Sequence, residues 1–289
     1  MFASTHPGVP ALHERAWRNL KRTLKPISPQ WLLNLRERQF YAKFGEVELH
    51  LLDILCDPAR DSLDVGANDG SFVHFLSGHS KTVHAFEPMP AQIETLKRKF
   101  GRNKVVIHPL ALSSEPGTIE LHLPVVDGVV VTGCATVATE AAAGYARRYS
   151  ISVRMDKLDS VYRGDAGFIK IDVEGHQQAV LDGGIETFRR CRPRALIEII
   201  EEMSPGGLQH AQAFFGRLGY RGFFINQRTL YPIDGFRPEL LQNPDNRPSL
   251  LAHPAEERGA YLYNFIFLPP ETLEGDMERI KSRLSALAV

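Results

Sequence analysis

Two acids and a histidine stand together in the segment Asp172-Val173-Glu174-Gly175-His176. In an extended segment, residues two apart point to the same side, so Asp172 and Glu174 face one crevice together. A third acid, Glu198, lies toward the end of the next apolar run, Ala195 to Ile200, and is placed to orient His176. An alcohol is almost unionised at neutral pH, and its oxygen becomes a good nucleophile when a positioned base takes the proton. Glu174 and His176 are the candidate bases, with Glu174 ahead by its direction into the crevice. Asp172 is better placed to face a cationic group. Without a ligand, the same residues read as acidic partners of a helix N-terminus and a satisfied surface histidine. The cluster lacks a metal-ligand spacing, so no metal is expected.

A second set of residues could hold the reagent. Ser62 to Ser71 reads SLDVGANDGS: a short apolar run, a turn with Gly66 and Gly70, then a helical stretch from Phe72. Glycines let backbone approach a ligand closely, and a helix N-terminus offers N–H groups with partial positive charge. The dinucleotide fingerprint is not met, because its three glycine positions hold Gly66, Asn68 and Ser71. Asp64 within the turn repels a pyrophosphate and suits an amine. A ligand carrying both an amine and a carboxylate, such as S-adenosylmethionine, fits better than NAD. Glu87 ends the run Lys81 to Phe86, 21 residues after Gly66. That is close to the spacing of about 20 at which an acid reaches a ribose diol in a doubly wound sheet.

These residues need a sheet to bring them together. From Ser62 onward, strand and helix patterns alternate, which predicts parallel strands with crossover helices. Core strands are predicted at Lys81–Phe86, Lys104–His108, Phe168–Asp172, Ala195–Ile200, Arg221–Asn226 and Tyr261–Leu268. Helices are predicted from Pro90 to Phe100, after Gly175, from Leu208 to Leu218 with Gly219 as cap, and over 271–287. Thr118 to Leu123 alternates and predicts a local hairpin, and Ile151 to Met155 another strand. The Gly-containing stretch 124–149 suits an acceptor loop or lid, or a plain surface excursion. Residues 227–258 read as Pro-rich and irregular. Helical stretches before residue 60 make an N-terminal extension, 1–59, ahead of a main domain, 60–289. Arg15, Arg18, Lys21, Arg22 and Lys25 cluster there beside Trp17, Leu20 and Leu24. Such a helix suits a solvated face, or peripheral contact with an acidic membrane surface.

Composition bounds the class. The apolar fraction of 43% and charged fraction of 24% are ordinary for a soluble globular chain. Zero formal net charge gives no global field toward nucleic acid. No apolar run approaches the length of a membrane helix, and the first residues lack a signal-peptide core. Cys56, Cys134 and Cys191 are few and scattered, which predicts buried thiols in a reducing, cytoplasmic setting.

The ordered runs DVGANDGSF, AFEPMP, HPLALS, FIKIDVEGHQQAVLDGG and RPRALIEI, with a weaker NFIF near the end, resemble the FkbM family of S-adenosylmethionine-dependent methyltransferases. The similarity covers roughly residues 60 to 200. It implies a Rossmann-like class I methyltransferase fold, with a doubly wound, mostly parallel sheet, and O-methylation of hydroxyls on sugars or polyketide-type products. It also implies that Asp64, Gly66, Asn68 and Gly70 surround the methionine part of the cofactor. Glu87 would hold the ribose, and Met89 and Ala111 would flank the purine. Gln177 departs from the family pattern, which has an acid there. Residues 1–59 and 124–149 lie outside the shared pattern, so the acceptor is not inherited. The resulting expectation is a cytoplasmic O-methyltransferase acting on a carbohydrate hydroxyl. A polyketide or other small hydroxylated metabolite is the alternative acceptor, and a non-catalytic glycan- or partner-binding protein is the alternative of another class.

Overall fold

Apolar runs bounded by turn residues become the strands of one large sheet. The computed structural model describes residues 46–101, 104–126, 129–130, 148–246 and 261–287. The basic cluster near the N-terminus, predicted helical, and most of the 124–149 stretch lie outside the described residues. In chain order the strands are β1 (Asp61–Val65), β2 (Val83–Phe86), β3 (Val105–His108), β4 (Ala111–Leu112), β5 (Gly117–Val126) and β6 (Val129–Val130). Then follow β7 (Arg148–Asp156), β8 (Ala166–Ile171), β9 (Arg194–Glu198), β10 (Arg221–Asn226), β11 (Thr229–Pro232) and β12 (Asn264–Leu268). The first described helices are α1 (Leu52–Leu55), α2 (Ser71–Leu76), α3 (Pro90–Phe100), α4 (Leu158–Val161) and α5 (Gln177–Asp182). Those after them are α6 (Ile185–Cys191), α7 (Gly207–Arg217), α8 (Pro238–Leu241) and α9 (Leu273–Ala286).

The main sheet has the order β11-β10-β12-β9-β8-β1-β2-β3. Strands β3, β2, β1, β8 and β9 run parallel to one another. β12 runs antiparallel between β9 and β10. The chain leaves β1 toward β2 on one side and returns through β8 on the other. That reversal opens a crevice at the C-terminal ends of β1 and β8, where doubly wound sheets hold ligands.

The pleat sends alternate side chains to two cores. Leu63, Val65, Ile169, Ile171 and Ile197 pack with Phe188, Phe214 and Phe215 on one face. Phe168, Leu196 and Ile266 pack with Val73, Leu76, Leu96 and Ile280 on the other. Helices therefore cover both faces, as a mostly parallel sheet requires. In α3, Pro90 opens the helix, and Ile93, Leu96 and Phe100 form its buried stripe. α7 stops at Gly219, whose φ of +77° supplies the left-handed residue that follows many helices.

A smaller sheet, in the order β4-β7-β5-β6, lies beside the crevice. β5 pairs antiparallel with β7 from Gly117↔Met155 to Pro124↔Arg148. The alternating run 118–123 thus finds its main partner across the 124–149 stretch. Leu121, Leu123 and Val153 pack on Met89 and attach this sheet to the β2 turn. The 227–258 stretch was predicted irregular, but it begins with a hairpin. β11 pairs with β10 through a turn in which Gln227 and Arg228 have φ of +47° and +61°. Two side chains without the usual glycine or asparagine signal hide that turn from sequence.

Residues 47–59, predicted as part of the extension, belong to the same compact unit as the sheet. Arg283 of α9 donates to the His50 carbonyl at 2.7 Å and to Asp53. A buried ion pair fixes α9 itself: Arg194 on β9 meets Asp276 at 2.5 and 2.9 Å, and Thr272 donates to the same carboxylate at 2.6 Å. Removing one partner of a buried pair strands the other charge. Asp276→Ala should therefore cost about 3–5 kcal/mol in denaturant unfolding, far more than loss of the half-exposed Arg283–Asp53 contact.

Candidate functional site

The first turn of the crevice is built by backbone geometry. Gly66 has φ of +85°, and a Cβ there would overlap the Asp172 carbonyl oxygen at the end of β8. Only glycine lets these two strand ends lie so close. The Gly66 and Ala67 N–H groups both reach the Phe86 carbonyl, at 3.0 and 3.1 Å. Asn68 then turns left-handed at φ +46° and aims its N–H at Glu87 Oε2, 2.8 Å away. The Met89 N–H donates to Glu87 Oε1 at 2.8 Å. One carboxylate thus ties the β1 turn to the β2 turn. Burial pushes Glu87 above its ordinary range, against the pull of the two N–H bonds. Each oxygen keeps acceptor capacity beyond its one N–H, the kind a diol uses.

The cleft encloses about 690 Å³, part of it open to solvent. Gly66, Asn68, Glu87, Met89, Ala111, Asp172, Glu174 and His176 all line it, so eight predicted site residues meet in one place. Leu110, Leu112 and Leu121 extend its apolar wall. Leu121 comes from the smaller sheet, and nothing in its own segment marked it for this role.

The acidic loop differs from the extended segment predicted. β8 ends at Ile171, and Glu174 turns left-handed at φ +47°, followed by Gly175 at +96°. The folded-back turn, not the pleat, brings Glu174 to Asp172. Carboxylate oxygens of Asp172, Glu174 and Glu198 lie within 4.8 Å of one another and form an anionic wall. Glu198 thereby joins the acids at the end of β9. His176 is the cap residue before α5, where the first helical turn was predicted. Its Nε2 lies 3.0 Å from Ser113 Oγ, and burial lowers its pKa below the usual imidazole value. Lys170, not singled out from sequence, donates to Asp172 Oδ2 at 2.7 Å from a buried position over the Phe72 ring. Its place two residues before Asp172 on one strand face was the available signal.

The model of the methyltransferase FkbM domain matches residues 64–221, more than half of the chain. The chain belongs to the FkbM methyltransferase family. The cofactor of such an enzyme is S-adenosylmethionine. No curated protein matches the sequence. Among solved structures, an FkbM methyltransferase from Methylobacillus flagellatus is 14% identical with a TM-score of 0.46, over 79% of this chain and 50% of that one. The present chain therefore spans half the length of that relative. A putative methyltransferase from Streptococcus mutans, in complex with SAH, is 9% identical with a TM-score of 0.38, over 76% and 95% of the two chains. A TehB-like SAM-dependent methyltransferase from Corynebacterium glutamicum is 14% identical with a TM-score of 0.37, over 83% and 97%. Family membership rests on the domain match.

In this FkbM chain the donor set fits the cofactor's chemistry. Glu87 presents two acceptor oxygens, Met89 and Ala111 present apolar surface, and Asp172 and Glu174 present negative charge of the kind a cationic group takes. Two predicted cofactor residues do not line the cleft. Gly70 caps α2 at φ +86°, where a Cβ would strike Phe100 and Leu96, so its missing side chain serves the packing of α2 on α3. The helix N-terminus is also partly occupied, since the Ser71 N–H bonds Asp69 Oδ1 at 3.2 Å. Asp64 is fully buried in β1, on the opposite pleat face from Leu63 and Val65. Among the described residues no close, well-aligned hydrogen bond reaches either oxygen, and the Val73 N–H is near enough to favour the charged form. Gln177, the departure from the family pattern, is likewise buried away from the cleft.

Burial pushes the Asp64 carboxyl up to about 6, against the attraction of Lys170. A raised acid pKa favours the protonated form in the fold, so stability falls as pH rises from the unfolded value through about 6. Asp64→Asn should therefore stabilise the free protein at pH 7 by up to about 2–3 kcal/mol. The difference from wild type should vanish near pH 4, as read from denaturation midpoints across pH.

Proposed function

We propose that this chain transfers a methyl group from S-adenosylmethionine to a hydroxyl oxygen of a carbohydrate. The observation that carries the reading is the shared cleft: Glu174 and His176 line the same space as the ribose-type acceptor Glu87. The carbohydrate acceptor follows the family resemblance. The basic N-terminal cluster would bring the chain to a membrane-borne glycan from the cytoplasmic side. Among the described residues, no helix is long and apolar enough to cross a membrane. Cys56 and Cys191 are buried free thiols, in keeping with a reducing compartment.

When bound, the cofactor supplies an electrophilic methyl and a neutral thioether leaving group. The chain's own residues hold and aim. Glu87 takes the ribose, Met89 and Ala111 flank the purine, and Asp172, steadied by Lys170, faces the amine. Gly66 and Asn68 shape the turn against the methionine part. This chain's residues would hold the acceptor hydroxyl beside that methyl, and a base among them would take up its proton. The premise that favoured Glu174 was an extended segment, and the turn removes it. His176, whose pKa burial lowers, is the better base, and Glu174 and Glu198 add negative charge next to Asp172.

Incubation of the protein with methyl-labelled cofactor and a glycan panel tests the reading. A label on a sugar oxygen supports it. Labelling only of small metabolites would replace the acceptor class, and cofactor binding without turnover over both panels would indicate a binding protein. Glu87→Ala should weaken cofactor binding by about 1–3 kcal/mol, measured by calorimetry on the folded variant. His176→Ala should lower kcat by about 10²–10⁴ while cofactor affinity holds. The acidic limb of the kcat profile should lie below 6.5, since burial lowers the imidazole pKa.

A further inference from the structure

Ser113 ends the HPLALS run and has no role in the reading above. It is 4% exposed. Its N–H donates to the Asp156 carbonyl at 2.9 Å, and its own carbonyl presses on Gly183 so closely that a Cβ there would overlap it. The backbone is therefore held from both sides, by β7 and by the end of α5. From that fixed position Oγ lies 3.0 Å from His176 Nε2.

A neutral imidazole has one donor nitrogen and one acceptor nitrogen. If the serine hydroxyl donated to Nε2, the ring hydrogen would sit on Nδ1 and the one basic nitrogen would face the serine instead of the methyl acceptor. If Nε2–H donates to Oγ, Nδ1 keeps its lone pair. The same bond then survives proton uptake, because both nitrogens of the imidazolium are donors. We infer that Ser113 is a positioning residue for His176, accepting the Nε2–H bond so that Nδ1 takes the proton of the methyl acceptor. The inference rests on the reading of His176 as the base.

The electrostatic consequence can be signed. Burial opposes the imidazolium, and an acceptor on Nε2–H favours it. The ionisable groups that line the same cleft as His176 are Asp172 and Glu174 on its own loop and Glu87 across the cleft, and Glu198 at the end of β9 lies with Asp172 and Glu174. Lys170, paired with Asp172, is the cation among them, and Asp156 of β7 is the residue whose carbonyl holds Ser113. None of these groups is altered when Ser113 is changed. Loss of the serine hydroxyl therefore makes the ring a weaker base and frees its tautomer.

The experiment compares wild type, Ser113→Ala, Ser113→Thr and His176→Ala, with nitrogen NMR of the labelled imidazole and the pH profile of kcat as readouts. Wild type should show the Nε2–H tautomer. Ser113→Ala should show mixed tautomers, an acidic limb about one pH unit lower and kcat down roughly 3- to 10-fold, the worth of one hydrogen bond. Its KM for S-adenosylmethionine should be unchanged, which also shows that it folds. Ser113→Thr, which keeps the hydroxyl, should restore the tautomer. An Nδ1–H tautomer in wild type overturns the inference. So does an unchanged tautomer and limb in Ser113→Ala while His176→Ala loses turnover. Full turnover in His176→Ala overturns the base reading and the inference together.

Discussion

Two N–H groups from different turns converge on one buried carboxylate, and the crevice depends on that convergence. Glu87 accepts from Asn68 and from Met89, each at 2.8 Å. To present its N–H, Asn68 must turn left-handed, and it can do so because Gly66 has already turned the chain sharply out of β1. That turn lies against the Asp172 carbonyl, and Asp172 begins the loop that carries Glu174 and His176. A single chain of backbone constraints therefore runs from the diol-type acceptor to the candidate base. Positioning of this kind matters in methyl transfer, where the protein mainly aligns oxygen, carbon and sulfur.

The electrostatics follow the same geometry. Burial raises both Glu87 and Asp64, while Lys170 sits among the acids as a buried cation. Carboxylates held in such surroundings are costly alone and are relieved by a positive ligand. S-adenosylmethionine brings a sulfonium and an ammonium, so a site that strains the free protein suits this family's cofactor. Asp64 is fully buried in β1 and does not line the cleft.

Most of the fold was legible because its strands are short apolar runs with turn residues on either side. Arg221–Asn226 and Pro90–Phe100 stand where their patterns place them. The hairpin to β11 was not legible, because ordinary side chains occupy its left-handed turn. In the site, the types of residue were legible and their directions less so. Asp64 was read as part of the turn, although the pleat that buries Leu63 and Val65 sends it to the other face. Glu174 was read as extended, and a positive φ in a residue with a side chain leaves no mark in sequence. Ser113 meets His176 across a long stretch of chain, a contact that only the packed fold creates. Lys170 was within reach, two residues from Asp172 on one strand.

The most direct test of this account is a crystal structure of the protein with S-adenosylhomocysteine. Both ribose hydroxyls should lie within hydrogen-bond distance of Glu87, with the purine between Met89 and Ala111 and the sulfur facing the Asp172–His176 loop. A ribose bound away from Glu87, or a sulfur turned from that loop, would contradict it.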